Sequence, residues 1–314
     1  HRTHGGTHST RNLFLLLSLS QLFSLTSQEG GFPLVKSARR KHARPPPTIA
    51  SLKKPPMPCC ACHDDDHDDA SDEALATLSH RVDDAKSTLR EHPVFAEVLA
   101  AVRAAEPPTT IVSLGVGRFA VSRAARYQLA LALLLRDELL SADESEPLHA
   151  FDPAWSALEL RYMRERAGRC AVRPHNEAGR IALPGEGRCL FLVQHCPRAL
   201  YSNLLEAHWG PESLSRLIVF GNSFAALADN ATGGGSGAGI EAWCRVTRAA
   251  SLVTEVSINS GRGELDHAFG GTSLHTFDAT RMPPKEDGLW TRPLAQAPEP
   301  SKEGLLADDF LSID

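Results

Sequence analysis

The sequence has few of the residues that carry redox and metal chemistry. Its 314 residues include seven cysteines at irregular positions, three methionines and only 6% aromatic residues. A secreted disulfide scaffold would have denser cysteines, usually in an even number, so the pattern favours reduced thiols in a cytosolic or nuclear protein. The cluster Cys59-Cys60-Ala61-Cys62-His63 lacks the paired spacings of a structural zinc site. We therefore expect no specific metal site, and the residues leave any cofactor unknown.

The sequence also lacks an apolar run that is long enough to cross a membrane. The thirteen residues Leu13–Leu25 fall short of the roughly 20 that a bilayer-spanning helix needs. This run fits a signal-peptide core or part of an organelle transit peptide. Because the first methionine is Met57, we expect the native chain to start there, with a transit peptide in residues 1–56 as the alternative.

The charge gives no reason to expect nucleic acid as the main partner. The formal net charge is −5 and the isoelectric point is near 6.3, whereas nucleic-acid-binding domains are usually basic. The charge is also uneven: His1–Lys54 contains nine Lys and Arg against one acid, and His63–Glu73 contains seven acids and no Lys or Arg. Since neither stretch has apolar periodicity, we predict a disordered tail over residues 1–70.

Residues 71–106 are predicted to form an N-terminal helical segment. Apolar residues at spacings of three and four predict a helix over Asp72–Arg90. A second helix is predicted over Val94–Ala105 and ends before Pro107. No repeat period is present, so we do not expect these helices to belong to a solenoid.

Residues 107–290 alternate between apolar, β-branched runs and helical patterns. This alternation is typical of a parallel sheet that is covered on both faces. We therefore predict an α/β fold with a doubly wound, mostly parallel (Rossmann-like) sheet, with a glycine-rich insertion at 233–237 and a tail over 291–314. The predicted strands are Thr109–Leu114, Leu148–Phe151, Cys170–Arg173, Cys189–Gln194 and Leu217–Phe220, followed by Leu252–Ile258 and Thr272–Phe277.

Glycine or polar residues follow four of these strands. Ligands of open parallel sheets bind beyond the carboxyl ends of the strands, so we expect these residues to line one crevice. The glycines would let the backbone approach an anion, and Asp152 could hold a ribose in a methyltransferase-like arrangement. A lone Gly-x-Gly is more often a tight strand–helix turn that binds nothing. The candidate crevice residues are Gly115, Gly117, Arg118, Arg126, Asp152, His195, Cys196, Asn222 and Ser223.

Three arginines lie in or just before the first turns of the helix that follows the first strand. Each positive charge of Arg118, Arg123 and Arg126 opposes the helix dipole there by about 0.3–1 kcal/mol. We expect an acidic group to balance them. It is either Asp152 or another internal carboxylate, or else a bound phosphate or an acidic partner.

No arrangement of residues identifies a catalytic centre. His195 and Cys196 are adjacent in the sequence, and adjacent strand residues point to opposite faces, so we do not expect them to act together. Ser223 lies in Gly-Asn-Ser-Phe, which lacks the Gly-x-Ser-x-Gly pattern of hydrolases. The residues therefore favour a protein that is not an enzyme.

Five segments carry a family resemblance in the right order. Together they resemble the "sensitivity to red light reduced" family of plant and fungal regulatory proteins. Departures from the family pattern are Arg123 and Gln194, each at a position where the family has Pro, and Gly270-Gly271 in place of Asn-Asp. The segments are VSLGVGRFAVSRAARYQLALALLL (112–135), FDPAWSALE (151–159), FLVQHCPRALYSNLLEAHW (191–209), LIVFGNSF (217–224) and FGGTSLHTF (269–277).

The resemblance implies a regulatory protein of the cytoplasm and nucleus. In plants the family acts in red-light signalling through phytochrome B and in the circadian clock, and in fungi and animals it is linked to haem biosynthesis and microtubules. It implies regulatory protein partners or a small anionic metabolite, and it supplies no catalytic residues. The alternative is a Rossmann-like enzyme or ligand-binding protein that is methyltransferase-like or nucleotide-binding, with a link to haem metabolism.

Overall fold

A computed structural model of the chain describes residues 70–140, 146–183, 185–232, 244–261 and 263–294. The predicted tail up to residue 69, the cysteine–histidine cluster and the glycine-rich insertion lie outside these residues. None of the helices within them is long and apolar enough to cross a bilayer.

Seven strands form one sheet in the order β3-β2-β1-β4-β5-β7-β6. Strands β1 to β5 pair in parallel, and β7 runs antiparallel to both of its neighbours. This confirms the predicted α/β fold with a mostly parallel sheet. The strands are β1 (Thr110–Leu114), β2 (Leu148–Phe151), β3 (Cys170–Val172), β4 (Cys189–Val193), β5 (Leu217–Asn222), β6 (Val253–Ser257) and β7 (Thr272–Phe277).

The central strands are buried on both faces, which explains their near-continuous apolar sequences. All five residues of β1 and all five of β4 are buried. Side chains alternate between two core clusters: Ile111 and Leu190 belong to one, whereas Val112 and Phe191 belong to the other. Since successive strand residues point to opposite faces, the two clusters lie on the two sides of the sheet.

Ten α-helices and one 3-10 helix occur in the described ranges. The predicted helices are confirmed, with ends that differ by no more than a few residues. The helices are α1 (Asp72–Glu91), α2 (Pro93–Ala104), α3 (Arg123–Leu139), α4 (Ala157–Glu165), α5 (Arg198–Ala207), α6 (Pro211–Leu214), α7 (Phe224–Thr232), α8 (Arg245–Ala249), α9 (Glu264–Phe269) and α10 (Gly288–Thr291), with the 3-10 helix at Ala279–Arg281.

Helix α3 follows the first strand and positions the loop between them. It begins where the Ser122 hydroxyl accepts a hydrogen bond from the Ala125 N–H at 3.2 Å, a standard N-cap. Every residue of Leu129–Leu135 is buried, so this helix has no solvent face along its middle. Helix α1 packs against it through an apolar stripe that includes Leu75 and Leu78.

Candidate functional site

The carboxyl ends of β1 and β4 lie side by side at the point where the strand order reverses. The chain passes from β1 through α3 to β2 on one side, and β4 continues the sheet on the other. Such a switch point is where open α/β sheets bind ligands. The loops here are 115–122 after β1 and 194–197 after β4, and they contain five of the nine candidate residues.

Gly115 and Cys196 bring these two loops into contact. Gly115 has φ +68°, and a β-carbon built on it would lie 2.4 Å from the Cys196 Sγ. Glycine is therefore required both by the backbone conformation and by the neighbouring sulfur. The thiol lies 3.4 Å from the Leu114 carbonyl oxygen, and burial raises the pKa of Cys196 to about 12. Cys196 is thus a protonated packing residue at neutral pH.

Asp152 ties the glycine loop to the loop after β2. Its Oδ2 accepts a hydrogen bond from the Gly117 N–H at 2.6 Å, and its Oδ1 accepts one from the Ala154 N–H at 2.7 Å. The Gly117 carbonyl in turn accepts from the Trp155 indole N–H at 3.1 Å. The two loops are therefore fixed to each other. Each carboxylate oxygen keeps a second lone pair that a ligand hydroxyl could use.

Glu159 is the internal carboxylate that the sequence-based reasoning allowed for but did not name. This fully buried carboxylate (0% exposed) accepts hydrogen bonds from the Ala120 N–H at 2.7 Å and the Ser156 N–H at 2.8 Å. It also lies 3.6 Å from the Arg118 Nε. The acid that balances Arg118 is thus Glu159 and not Asp152. The S-x-x-E capping box at 156–159 was the sequence signal that could have identified it.

Arg126 is held by backbone carbonyls. Its Nη1 donates to the Phe119 oxygen at 2.7 Å and to the Ala120 oxygen at 3.0 Å. Burial, together with the nearby charges of Arg81 and Arg123, lowers the pKa of Arg126. Neutral carbonyls stabilise the guanidinium here without cancelling its charge.

His195 has a backbone conformation that is uncommon for a residue with a side chain. Its φ is +53°, and its N–H donates to the Asn222 Oδ1 at 2.7 Å. The Nε2 lies 3.2 Å from the Ala268 oxygen, which can only accept, so Nε2 carries the proton and Nδ1 is left as an acceptor. Burial lowers the pKa of His195, and the ring is neutral at pH 7. Left-handed residues of this kind occur often at functional sites.

Asn222 joins the ends of β4 and β5. Besides holding the His195 N–H, its own N–H donates to the Tyr201 hydroxyl at 2.8 Å. That hydroxyl donates a hydrogen bond to the Val193 carbonyl oxygen, so the Tyr201 side chain links the end of β4 to the end of β5. Tyr201 was not among the predicted site residues because a buried tyrosine in an apolar helix face gives no sequence signal of its own.

Ser223 acts as a helix cap away from the switch point. Three successive N–H groups at the start of α7 each have a side-chain acceptor: Phe224 donates to the His275 Nε2 at 3.2 Å, Ala225 to the Glu255 Oε2 at 3.1 Å, and Ala226 to the Ser223 Oγ at 3.1 Å. Burial by itself would raise the pKa of Glu255, but His275, the Ser223 hydroxyl and the Ala225 N–H together lower it to about 2.

The structure thus gathers the candidate residues into connected groups. Gly115 contacts Cys196, Gly117 bonds to Asp152, and His195 bonds to Asn222 at the end of the adjacent strand. Within the described ranges, no group of three or more His, Cys, Asp and Glu side chains is placed to hold a metal ion.

Comparison with known proteins accounts for the resemblance in these loops. The SRR1 domain matches residues 86–276, which is more than half of the chain. The chain belongs to the SRR1 family. All nine candidate residues lie inside the match, whereas most of α1 lies before it.

Individual relatives agree with this assignment. The chain is 29% identical over 190 residues to Protein SENSITIVITY TO RED LIGHT REDUCED 1 of Arabidopsis thaliana, covering 60% of this chain and 65% of that protein. An SRR1-like protein of Mus musculus is 34% identical over 118 residues, covering 38% and 45%. One of Drosophila melanogaster is 28% identical over 191 residues, covering 60% and 62%. The match therefore spans less than two thirds of each relative.

Proposed function

We propose that this SRR1 family member is a regulatory protein that acts in red-light signalling through phytochrome B and in the circadian clock. The observation that carries the proposal is the SRR1 domain match over residues 86–276, together with an Arabidopsis relative whose name refers to reduced sensitivity to red light. We place the protein in the cytoplasm and nucleus, where it acts through protein partners or a small anionic metabolite.

Complementation of an Arabidopsis line that lacks this relative tests the proposal. We expect the chain to restore hypocotyl shortening in red light and the period of a clock reporter. His195→Gly is the informative variant, because glycine accepts φ +53° while the imidazole is removed. His175→Gly, in an exposed turn, is the matched control. Failure of the unmodified chain to complement, at a protein level equal to that of the relative, contradicts the proposal.

A second candidate is a Rossmann-like ligand-binding protein or enzyme, methyltransferase-like or nucleotide-binding. The observation that favours it is the doubly wound sheet with a glycine loop after β1 and an acid directly after β2. A shared fold does not establish a shared activity. We propose that the glycine loop and Asp152 would hold an adenosyl or nucleotide ligand.

A panel of S-adenosylmethionine, nucleotides and haem precursors tests the second candidate by thermal unfolding. A ligand at about 100 times its dissociation constant should stabilise the protein by roughly 2.7 kcal/mol. Gly117→Asp should abolish this shift. Gly185→Asp also places a side chain at positive φ but meets no neighbouring atom within 4 Å, so it should leave the shift unchanged. The second candidate is wrong if no compound on the panel shifts the unfolding temperature.

A further inference from the structure

A cavity lies between α1, the last turns of α3 and the end of α4. Its volume is about 520 Å³, within the roughly 300–1,000 Å³ that is typical of pockets for small molecules. Helices α3 and α4 start at the carboxyl ends of parallel strands and run back along the sheet, so their last turns lie at the edge opposite the glycine loop. The cavity is therefore separate from the strand-end crevice. Its lining includes Asp83 and Lys86 of α1, Arg136 of α3, Tyr162 of α4, and Arg166 and Gly168 directly after α4.

The hydroxyl of Tyr162 is a buried donor in this cavity. The residue is 3% exposed and lines the cavity, and no group among the described residues forms a hydrogen bond with its hydroxyl. Burial, followed by the charge of Asp83, raises the pKa of Tyr162, and the nearby charge of Arg136 opposes that shift. The hydroxyl therefore keeps its proton at neutral pH. Because buried polar groups usually have a hydrogen-bond partner, this hydroxyl is available to an acceptor that enters the cavity.

Arg136 supplies a second buried donor. Its Nε and Nη2 donate to the Asp137 Oδ1 at 2.9 and 2.7 Å, and its Nη1 donates to the carbonyl oxygens of Ala167 and Arg169. A guanidinium has two hydrogens on each Nη, so one Nη2 hydrogen has no acceptor within the described ranges. A β-carbon built on Gly168 would lie 3.7 Å from Nη2. Since glycine has no side chain, this part of the guanidinium stays open to the cavity.

The charges at the cavity favour an anion. Lys86, Arg136 and Arg166 are cations, and Asp83 is the one carboxylate among the lining residues. Asp83 lies 3.9 Å from the Lys86 Nζ, and Asp137, which is not in the lining, pairs with Arg136. With histidine counted as neutral, one positive charge is in excess. The carbonyls after α4 that would oppose an anion already accept hydrogen bonds from Arg136.

We propose that this cavity binds a small organic acid whose carboxylate accepts hydrogen bonds from the Tyr162 hydroxyl and the Arg136 Nη2. A carboxylate has two oxygens, one for each donor, and hydrogen bonds to an ionised group are stronger than those between neutral groups. Its single negative charge matches the single positive charge in excess. The Tyr162 ring and Leu133 give apolar surface to the body of the acid. Because the cavity is separate from the strand-end crevice, the proposal does not depend on the proposed function.

Calorimetric titration of the full chain with acetate and with benzoate tests the proposal. Acetamide and benzamide are the uncharged references of similar shape, and we expect an acid to bind about tenfold more tightly than its amide. Tyr162→Phe removes only the hydroxyl and should weaken binding of the acid about tenfold. Tyr127→Phe changes an equally buried tyrosine that is not in the lining, so it should leave the affinity unchanged. The unfolding temperature of Tyr162→Phe without ligand should equal that of the unmodified protein, since no hydrogen bond is lost.

Variants of the charged lining residues test the electrostatic part of the proposal. Arg166→Gln should weaken binding about threefold, a modest effect because the side chain is exposed and solvent screens its charge. Arg164→Gln changes an exposed arginine of α4 that is not in the lining, so it should have no effect. Asp83→Asn should strengthen binding about two- to threefold, since it removes the opposing charge.

Two further titrations exclude competition by the chain and identify the anion. Asp143 and Glu144 follow α3 in the sequence and could compete for Arg136, so the titrations are repeated with Asp143→Asn and Glu144→Gln combined. The proposal is overturned if neither chain binds either acid more tightly than its amide. Equal affinity of Tyr162→Phe and the unmodified protein for the acids also overturns it. Tighter binding of inorganic phosphate than of both acids overturns the assignment of a carboxylate.

Discussion

Two regions at the carboxyl ends of the parallel strands, here called corners, supply hydrogen-bond acceptors to their backbone N–H groups in different ways. The glycine-loop corner comprises residues 115–120 and 152–159, and its acceptors are the buried carboxylates Asp152 and Glu159. The α7 corner comprises residues 222–226 with Glu255 and His275, and its acceptors are an imidazole nitrogen, a partly exposed carboxylate and a hydroxyl. Both corners start a helix after a parallel strand, yet only the first buries charge to do so.

The difference follows from the direction of the neighbouring strands. At the glycine-loop corner the neighbouring strands are parallel, and the two carboxylates come from the loop after β2 and from the first turn of α4. At the α7 corner β7 is antiparallel, and the register places Val219, His275 and Glu255 in one row across three strands. The His275 Nδ1 donates to the Val219 oxygen at 3.0 Å, which leaves Nε2 free to accept from α7. The first corner should therefore be the more sensitive to mutation, and the second the more sensitive to pH.

The largest effect is expected from Glu159→Ala at the glycine-loop corner. Removing this buried carboxylate leaves two partly buried N–H groups unsatisfied and Arg118 without its partner, so unfolding by urea should show a loss of about 4 kcal/mol. Glu138→Ala on α3, which removes an exposed ion pair with Arg103 of α2, should cost about 0.5 kcal/mol. A loss below 1 kcal/mol for Glu159→Ala would contradict the expectation that the glycine-loop corner is the more sensitive to mutation.

A somewhat smaller effect is expected from Gly115→Ala. The added methyl group meets the Cys196 sulfur and requires a positive φ, so the free energy of unfolding should fall by about 3 kcal/mol. In a Cys196→Ala background the same change should lower the free energy of unfolding by only about 1 kcal/mol. This remainder is the cost of a positive φ for a residue that has a β-carbon. Equal costs in the two backgrounds would disprove the steric contact between the loops.

The α7 corner should show the stronger dependence on pH. The pKa of Glu255 in the folded protein, about 2, lies below the unfolded value of roughly 4.3. The contribution of ionised Glu255 to the free energy of unfolding is therefore fully present above about pH 4.5 and is lost as pH falls towards 2. Since 17% of the side chain is exposed and solvent screens the charge, we expect a loss of about 1–2 kcal/mol over that range.

Urea unfolding between pH 5 and pH 2 measures this contribution as a difference between chains. Glu255→Gln should lose less stability than the unmodified protein over the window. Glu212→Gln, which changes an exposed acid paired with Lys285, should behave like the unmodified protein. The interpretation fails if Glu255→Gln and the unmodified protein lose stability in parallel.

The smallest effect is expected from His195→Gly, between the two corners. Glycine relieves the positive φ while the contact with the Ala268 oxygen is lost, so the stability should change by no more than about 0.5 kcal/mol. His195→Ala keeps the strained backbone and should be less stable than His195→Gly by about 1 kcal/mol. An Ala variant as stable as the Gly variant would show that the backbone stores no strain at this residue.

Much of the fold could be predicted because its signals are local. The apolar runs of β1 and β4 and the three- and four-residue spacing in α1 depend on neighbours along the chain, and the structure confirms all of them. The contact between Gly115 and Cys196 brings together the loops that follow β1 and β4, and the crevice itself stays a prediction. The family resemblance was also confirmed. It could be recognised from the sequence because its motifs are contiguous segments.

The partners within the site could not be predicted from the same signals. Asp152 was a candidate because it follows a strand, but Glu159 is the acid that faces Arg118, one turn into the next helix. Ser223 follows a strand as well, yet it caps α7 beside His275, because an antiparallel strand reaches that corner. Which acid or imidazole meets a given N–H depends on register between distant strands, and no local pattern contains that information.

The sequence by itself therefore determined the elements, their mostly parallel arrangement and the family, since each depends on periodicity or on contiguous motifs. Only the tertiary structure decided the reversal of β7, the burial of Glu159 and the left-handed backbone of His195. The physical reason is that burial and charge act between groups that are close in space, and these groups lie far apart along the chain or face each other only after the strands have paired.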